Sequence, residues 1–274
     1  MRTVRLYVAN LQVLLGQVID PTAGLNIVRR LSAIVPVVVG GDQGKHAARV
    51  LRMQMGDEVE VFDGEGLLGC GEIVRTSKNE IEVGVREMWV ERKGIEDGVE
   101  LRVLSAVPKG SRVDVMIDGL SQVGVTVWGP VVCERSAVVP SAKEGGSGKL
   151  GRLETRAVES AKQCGRAWVM DVDGWRSFTE IISAADLEGE KVMRLMMDLV
   201  NEEEGVTGDE IRKLMAGVDR VEVLVGPEGG WTDEERAAAK AAGWISWQVG
   251  QTVMRIETAA VVGAGVVLAG LGGK

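Results

Sequence analysis

The sequence predicts an α/β chain in two parts: a small β-barrel over residues 1–85, a linker over 86–98, and a larger α/β domain over 99–274. Three observations carry this. Up to Val85 the chain alternates short apolar runs with turn residues, the rhythm of a small barrel. Arg86 to Gly98 is charge-rich and holds two glycines, the composition of a linker between compact units. Beyond it, near-continuous apolar strands alternate with segments of helical spacing, which implies parallel strands with helices on the sheet faces.

In the first part, Glu58-Val59-Glu60-Val61-Phe62 is the clearest strand, because its alternation gives one apolar face, and Asp63-Gly64 supplies the turn after it. Glu80 to Val85 alternates in the same way, and Ala47, Val50 and Leu51 predict one or two helical turns over His46–Met53. In the second part, Leu101–Val107 reads as a buried strand, Asp114–Val123 as a helix, and Thr126-Val127-Trp128 as the next strand. Ser141–Gly148 is small and glycine-rich and reads as a loop, ahead of a long helix over Leu150–Cys164. Strands follow at Val192–Leu199 and Val221–Val225, with the acidic run Glu202-Glu203-Glu204 as a solvated loop between them. Thr258–Leu271 is apolar but too short to cross a bilayer, and its Gly and Ala content predicts a closely packed helix, buried or at a dimer interface.

A chain with 45% apolar and 26% charged residues builds an ordinary globular core. Arg2 and Arg5 with no long apolar run behind them give no secretory signal, so the expected location is cytoplasmic. Cys70, Cys133 and Cys164 are widely spaced and the chain has one histidine, which supports neither a metal site nor a disulfide framework. The formal charge of −8 speaks against binding nucleic acid by bulk electrostatics, so a local basic patch would have to do it. Arg29, Arg30, Lys45, His46, Arg49 and Arg52 form one candidate, and a merely solvated charged face accounts for them equally well.

Two segments carry chemistry. Val221–Val225 runs into Gly226-Pro227-Glu228-Gly229-Gly230, after which Thr232 reads as the N-cap of an alanine-rich helix, with Glu235 completing a capping box. Glycines at the carboxyl end of a strand let backbone approach a ligand. A tight structural turn would use the same residues. The spacing is neither a dinucleotide fingerprint nor a P-loop. The second segment, Val249-Gly250-Gln251-Thr252-Val253-Met254-Arg255-Ile256-Glu257, places Arg255 and Glu257 at the start of the most apolar helix. Charges there are either a structural ion pair or part of a site.

In their order near the carboxyl end, these segments resemble the RsmE family, the uracil-N3 methyltransferases of 16S rRNA in the SPOUT superfamily. The resemblance extends to Arg2–Val8, His46–Arg52, Gly56-Asp57 and Phe62–Gly64, which are similar to the family's PUA-like barrel. Pro108-Lys109-Gly110, Gly124-Val125, Glu134-Arg135-Ser136 and Glu159–Arg166 are similar to its second domain. It implies a PUA-like barrel, a SPOUT α/β domain with a trefoil knot, a homodimer with sites between subunits, and 16S rRNA within the small ribosomal subunit as partner. It further implies S-adenosylmethionine held by Gly226, Pro227, Glu228, Gly229, Gly230, Val249, Gly250 and Met254. In this reading Arg255 stabilises a uracil anion while Glu257 orients Arg255 or relays the proton. Arg5, Lys45, His46, Arg49, Arg52 and Arg166 contact RNA, Arg166 from the partner subunit, and no metal is needed.

The chain departs from the family pattern at Asp118-Gly119, where Gln-Lys is usual, at Gln122 for Glu, at Met170 for Pro, at Thr252 for Arg and at Ile256 for Thr. Three other readings compete: a SPOUT methyltransferase with another RNA target, a non-catalytic ribosome-assembly factor, and a small-molecule enzyme. The last leaves the barrel without a purpose.

Overall fold

The structure is a computed structural model that describes residues 3–11, 29–91, 93–94, 98–140, 147–199 and 213–271. The chain separates into two compact units, residues 1–93 with 158–169 and residues 94–157 with 170–274.

The first unit is a five-stranded sheet of β1 (Val4–Tyr7), β2 (Arg29–Val39), β3 (Glu58–Phe62), β4 (Leu67–Thr76) and β5 (Ile81–Val90), in the order β1-β3-β4-β5-β2. β1 pairs parallel with β3, and the other pairs are antiparallel. The predicted alternation of β3 is realised: Val59 and Val61 are buried with Leu6, Val37, Ile73, Val83 and Val85, while Glu58 faces out. After β3, Asp63 Oδ1 accepts from the backbone N–H of Glu65 at 2.7 Å and of Leu67 at 3.1 Å, closing the turn. Between β2 and β3 lie α1 (Gly41–Lys45) and a π-helical turn at His46–Val50, so the helical segment begins five residues before the predicted one.

Two boundaries differ from expectation. Residues 86–90, assigned to the linker, continue β5: Met88 is buried and pairs with Gly69 and Arg29, and the charges that suggested a linker sit on the strand's outer side. Of the rest of that linker, residues 92 and 95–97 lie outside the described residues, as do 141–146 of the glycine-rich loop and the acidic run at 202–204; Ser147 and Gly148 already belong to a helix. The second difference is Glu159–Arg166, expected in the second domain. Its residues count with the first unit, because Ala161 and Ala167 bury against Phe62 and Leu68.

The second unit is a parallel sheet in the order β12-β10-β11-β6-β7-β8, with β9 also paired to β7. Its strands are β6 (Glu100–Ser105), β7 (Val127–Val132), β8 (Asp171–Val172), β9 (Arg176–Ser177), β10 (Val192–Met197), β11 (Arg220–Val225) and β12 (Ile245–Trp247). Its helices are α2 (Arg112–Val123), α3 (Ser147–Cys164, which runs on into the first unit), α4 (Phe178–Ile182), α5 (Asp233–Ala241) and α6 (Ile256–Leu271). Val221, Val223, Leu224 and Val225 of β11 are buried, as strands covered on both faces require. Glu222 interrupts that run and is neutralised by Arg194 at 3.3 Å and Arg220 at 3.1 Å.

α6 packs against α2, β6 and β11. The approach to α2 is so close that a Cβ on Gly119 would lie 2.6 Å from Val261 Cγ2. That contact gives a physical reason for the family departure at Gly119: the neighbouring helix occupies the space a side chain would take. Since Val261 is stiff at χ1, Gly119→Val is expected to destabilise the protein by about 1–3 kcal/mol despite the better helix propensity of valine. Thermal unfolding would show it as a lowered Tm; an unchanged Tm would mean that the two helices part freely. Asp118, the adjacent departure, pairs with Arg156.

Among the described residues, no helix is long and apolar enough to cross a membrane.

Candidate functional site

β10, β11 and β12 are neighbours in the parallel sheet, and Met197, Val225 and Trp247 stand at their carboxyl ends. That edge is where open α/β sheets bind small molecules. A cavity of about 320 Å³ opens there, lined by Gly226–Gly230 from the β11–α5 turn, by Val249, Gly250 and Thr252–Met254, and by Ile256 and Ala259 of α6. All eight residues expected to hold a cofactor line it: Gly226, Pro227, Glu228, Gly229, Gly230, Val249, Gly250 and Met254.

The turn is held from several sides. Thr232 caps α5, its Oγ1 accepting from Glu235 N at 3.1 Å, while Glu235 Oε2 accepts from Thr232 N at 3.0 Å, so the predicted capping box is present. The second oxygen of Glu235 accepts from Glu134 N at 3.0 Å, which fixes the segment after β7 beside the turn. Arg135, next in the chain, donates from Nη1 to the carbonyls of Gly229 at 3.0 Å and Trp231 at 3.2 Å. The buried Trp231 indole donates to Met197 O at 2.9 Å and crowds Gly226, where a Cβ would lie 2.8 Å from the ring. Gly226 and Gly229 are therefore glycine because a neighbour lies where a side chain would be, whereas Gly230 adopts φ +69°, a conformation that favours glycine.

Among the cavity's polar side chains, Asp198 is only 7% exposed and accepts from Arg236 Nε at 2.7 Å. That bond is the main cause of an Arg236 pKa raised above its usual value. Glu228 receives Arg112 at 3.2 Å. The Cys133 thiol, in the same apolar cluster as Trp231, is pushed up to about 12 by burial and then by Glu235, which makes it inert as a nucleophile at neutral pH.

The structure separates the expected pair at the start of α6. Arg255 is exposed, and its side chain has no hydrogen bond or ion pair among the described residues. Glu257 turns to Arg112 at 3.7 Å instead of to Arg255, and its Oε2 is buried without a partner among the described residues. The expectation that Glu257 orients Arg255 is thus corrected, because the guanidinium of Arg112 lies within reach on the side that faces α2.

The six expected RNA contacts all fall in the first unit. Lys45, His46, Arg49 and Arg52 are exposed. Lys45 pairs with Asp42 at 3.4 Å, Arg49 donates to Asn79 Oδ1 at 2.7 Å, and Arg52 holds a positive φ of +53°. Arg5 and Arg166 do not present free charges. Arg5 pairs with Glu60, donates to the carbonyls of Ala161 at 3.3 Å and Arg166 at 3.1 Å, and lies 4.8 Å over the Phe62 ring. Arg166 has its pKa lowered chiefly by burial. Arg5 is a tether between β1 and the 161–166 segment, so Arg5→Ala is expected to cost roughly 3 kcal/mol by leaving the part-buried Glu60 carboxylate without its counter-charge. Urea denaturation measures this; a variant as stable as the wild type would return Arg5 to the candidate RNA contacts.

Arg112, Asp198 and Trp247 were not singled out in the sequence, and Arg135 only as part of a motif. A lone Arg at a helix start and a lone Asp after a strand carry no spacing signal; only the sheet order brings them to the turn.

The comparisons with known proteins agree with this architecture. A family model described as RNA methyltransferase domain matches residues 96–268, and one described as RNA methyltransferase PUA domain matches residues 39–86. The chain is 28% identical over 235 residues to the ribosomal RNA small subunit methyltransferase E of Mycobacterium bovis, covering 84% of this chain and 85% of that one. It is also 28% identical over 216 residues to the protein of that name from Synechocystis sp., covering 78% of this chain and 66% of its relative. A crystal structure of a ribosomal RNA small subunit methyltransferase E from Neisseria gonorrhoeae bound to S-adenosyl methionine shares the fold, with a TM-score of 0.76 at 22% identity over 98% of both chains. The resemblance to the RsmE family read from the motifs is borne out, and the chain belongs to the RNA methyltransferase family, with that family's PUA domain ahead of its methyltransferase domain.

Proposed function

We propose that this protein is an S-adenosylmethionine-dependent methyltransferase that acts on N3 of a uridine in small-subunit 16S rRNA. The observation that carries the reading is the cavity at the carboxyl ends of β10, β11 and β12, walled by the glycine turn and by Val249, Gly250 and Thr252–Met254. Its donor set fits the cofactor: close backbone at Gly226 and Gly229 for polar edges, apolar Trp247, Met254 and Ile256 for a ring, and the carboxylates Asp198 and Glu228 for a cation. Bound there, S-adenosylmethionine supplies an electrophilic methyl group. The protein's share is to orient a uracil and favour loss of its N3 proton. Arg255, exposed and without a side-chain partner among the described residues, is the group assigned to the anion that forms at the base. Glu257 is assigned to shaping the site through Arg112.

In the same reading the first unit closes as a PUA-like RNA-binding barrel, with Lys45, His46, Arg49 and Arg52 as its exposed contacts. The second unit carries the SPOUT trefoil knot, and two chains pair as a homodimer in the cytoplasm, within reach of the small ribosomal subunit. Uracil N3 is blocked by pairing, so the target base is unpaired or extruded.

Incubating the protein with labelled S-adenosylmethionine and small ribosomal subunits from a strain lacking the modification tests the reading. The expected result is one methylated uridine, detected as a reverse-transcription stop and as N3-methyluridine in the nucleoside digest. Cofactor binding without transfer would favour an assembly factor, and methylation at a ribose hydroxyl would assign a different target chemistry.

A further inference from the structure

We propose that Arg112 is a positioning residue that couples the cofactor turn to the start of α6, an inference that rests on the function proposed above. Arg112 is the first residue of α2 and is one-third exposed. Its guanidinium reaches three places: Nε donates to Lys109 O at 3.3 Å, Nη2 to Glu228 Oε1 at 3.2 Å, and Nη1 lies 3.7 Å from Glu257 Oε1. Glu228 lines the cavity, and Glu257 stands two residues after Arg255. One side chain thus spans the β11–α5 turn and the N-terminus of α6, which the chain itself joins only through α5 and β12.

The second observation is the state of Glu257. Its side chain is 12% exposed, and its Oε2 is buried with no partner among the described residues. Arg112 is the only basic side chain paired with it there; the N-terminal turn of α6 also favours a carboxylate but ties it to nothing outside its own helix. A buried carboxylate that loses its one counter-charge reorients toward solvent. That reorientation acts on the first turn of α6, which directly follows Arg255. Arg112 therefore transmits the position of Glu228, set by what fills the cavity, to the segment assigned to the base. A lysine cannot copy this, since a single ammonium reaches one carboxylate where the forked guanidinium reaches two.

The test compares wild type, Arg112→Ala, Arg112→Lys, Glu257→Gln and the Arg112→Ala/Glu257→Gln double variant. Three quantities are read: calorimetric Kd for S-adenosylmethionine, single-turnover rate on small ribosomal subunits at saturating cofactor, and urea stability. Arg112→Ala should weaken cofactor binding and slow turnover, each by about tenfold. Arg112→Lys should recover binding through Glu228 but not rate, a split that a purely structural arginine would not give. In urea, Arg112→Ala and Glu257→Gln should be non-additive. An Arg112→Ala variant that is less stable but keeps Kd and rate within about twofold of wild type would overturn the proposal. Wild-type protein that binds no cofactor would instead overturn the function proposed above. The urea cycle then decides the bridge by itself, additive effects counting against it.

Discussion

Gly229→Val is expected to abolish measurable cofactor binding, weakening Kd by about a hundredfold or more, while the protein stays folded. Gly229 lines the cavity on one side and meets Arg135 on the other, where a Cβ would lie 3.0 Å from Arg135 Cβ and 3.4 Å from its Cδ. Two γ-methyl groups deepen that clash, and the contact is with the root of the arginine side chain, which cannot swing aside as a side-chain tip does. The turn must therefore move toward the cavity or Arg135 must release the carbonyls of Gly229 and Trp231. Either change displaces the backbone that would meet the ligand. The fold should survive, because the α5 capping box and the Trp231–Met197 bond hold the flanks of the turn independently. Calorimetry beside a thermal melt checks this. A folded variant that binds as tightly as wild type would show that the turn is structural, the alternative its glycines left open in the sequence.

Much of this site was legible in the chain because its signals are local. The strand before Gly226 and the Thr232–Glu235 box each depend on residues a few positions apart, and both are present as the sequence predicts. What was not legible depends on strand order. Nothing in a linear reading places Asp198 or Arg112 beside the turn, since β10 and β6, the strands that precede them, flank β11 only through parallel pairing. The misread boundaries have the same origin. Arg86 to Val90 looked like a linker because charge was weighed over alternation, yet Met88 buries in the sheet. The Glu159–Arg166 stretch looked like part of the second domain because it follows residues that belong there, yet Ala161 and Ala167 complete an apolar cluster around Phe62. Small residues give almost no sequence signal for which core they join. Arg5 shows the converse: an arginine near the start of the chain reads as an RNA contact, whereas in the structure a carboxylate, two carbonyls and an aromatic face occupy it.

Arg255→Ala should lower the single-turnover methylation rate by about a hundredfold to a thousandfold, the usual consequence of removing one preorganised donor from a developing anion. Cofactor affinity should change by less than about threefold, since Arg255 is absent from the cavity lining that Met254 and Ile256 flank it in. Stability should also be nearly unchanged, because the side chain is exposed and makes no hydrogen bond or ion pair among the described residues. Those two constancies make the experiment decisive. An exposed arginine beside the cavity, with no partner among the described residues, is read as facing either a substrate or solvent. Loss of rate at constant Kd and Tm identifies a substrate contact made in the transition state. Arg255→Lys separates two forms of that contact: recovery of most of the rate means that a point charge suffices, while a rate as low as that of alanine means that the base is held by the geometry of the guanidinium. A full rate with alanine would remove Arg255 from the reaction, leaving catalysis to cofactor and base alignment by the turn and by Arg112.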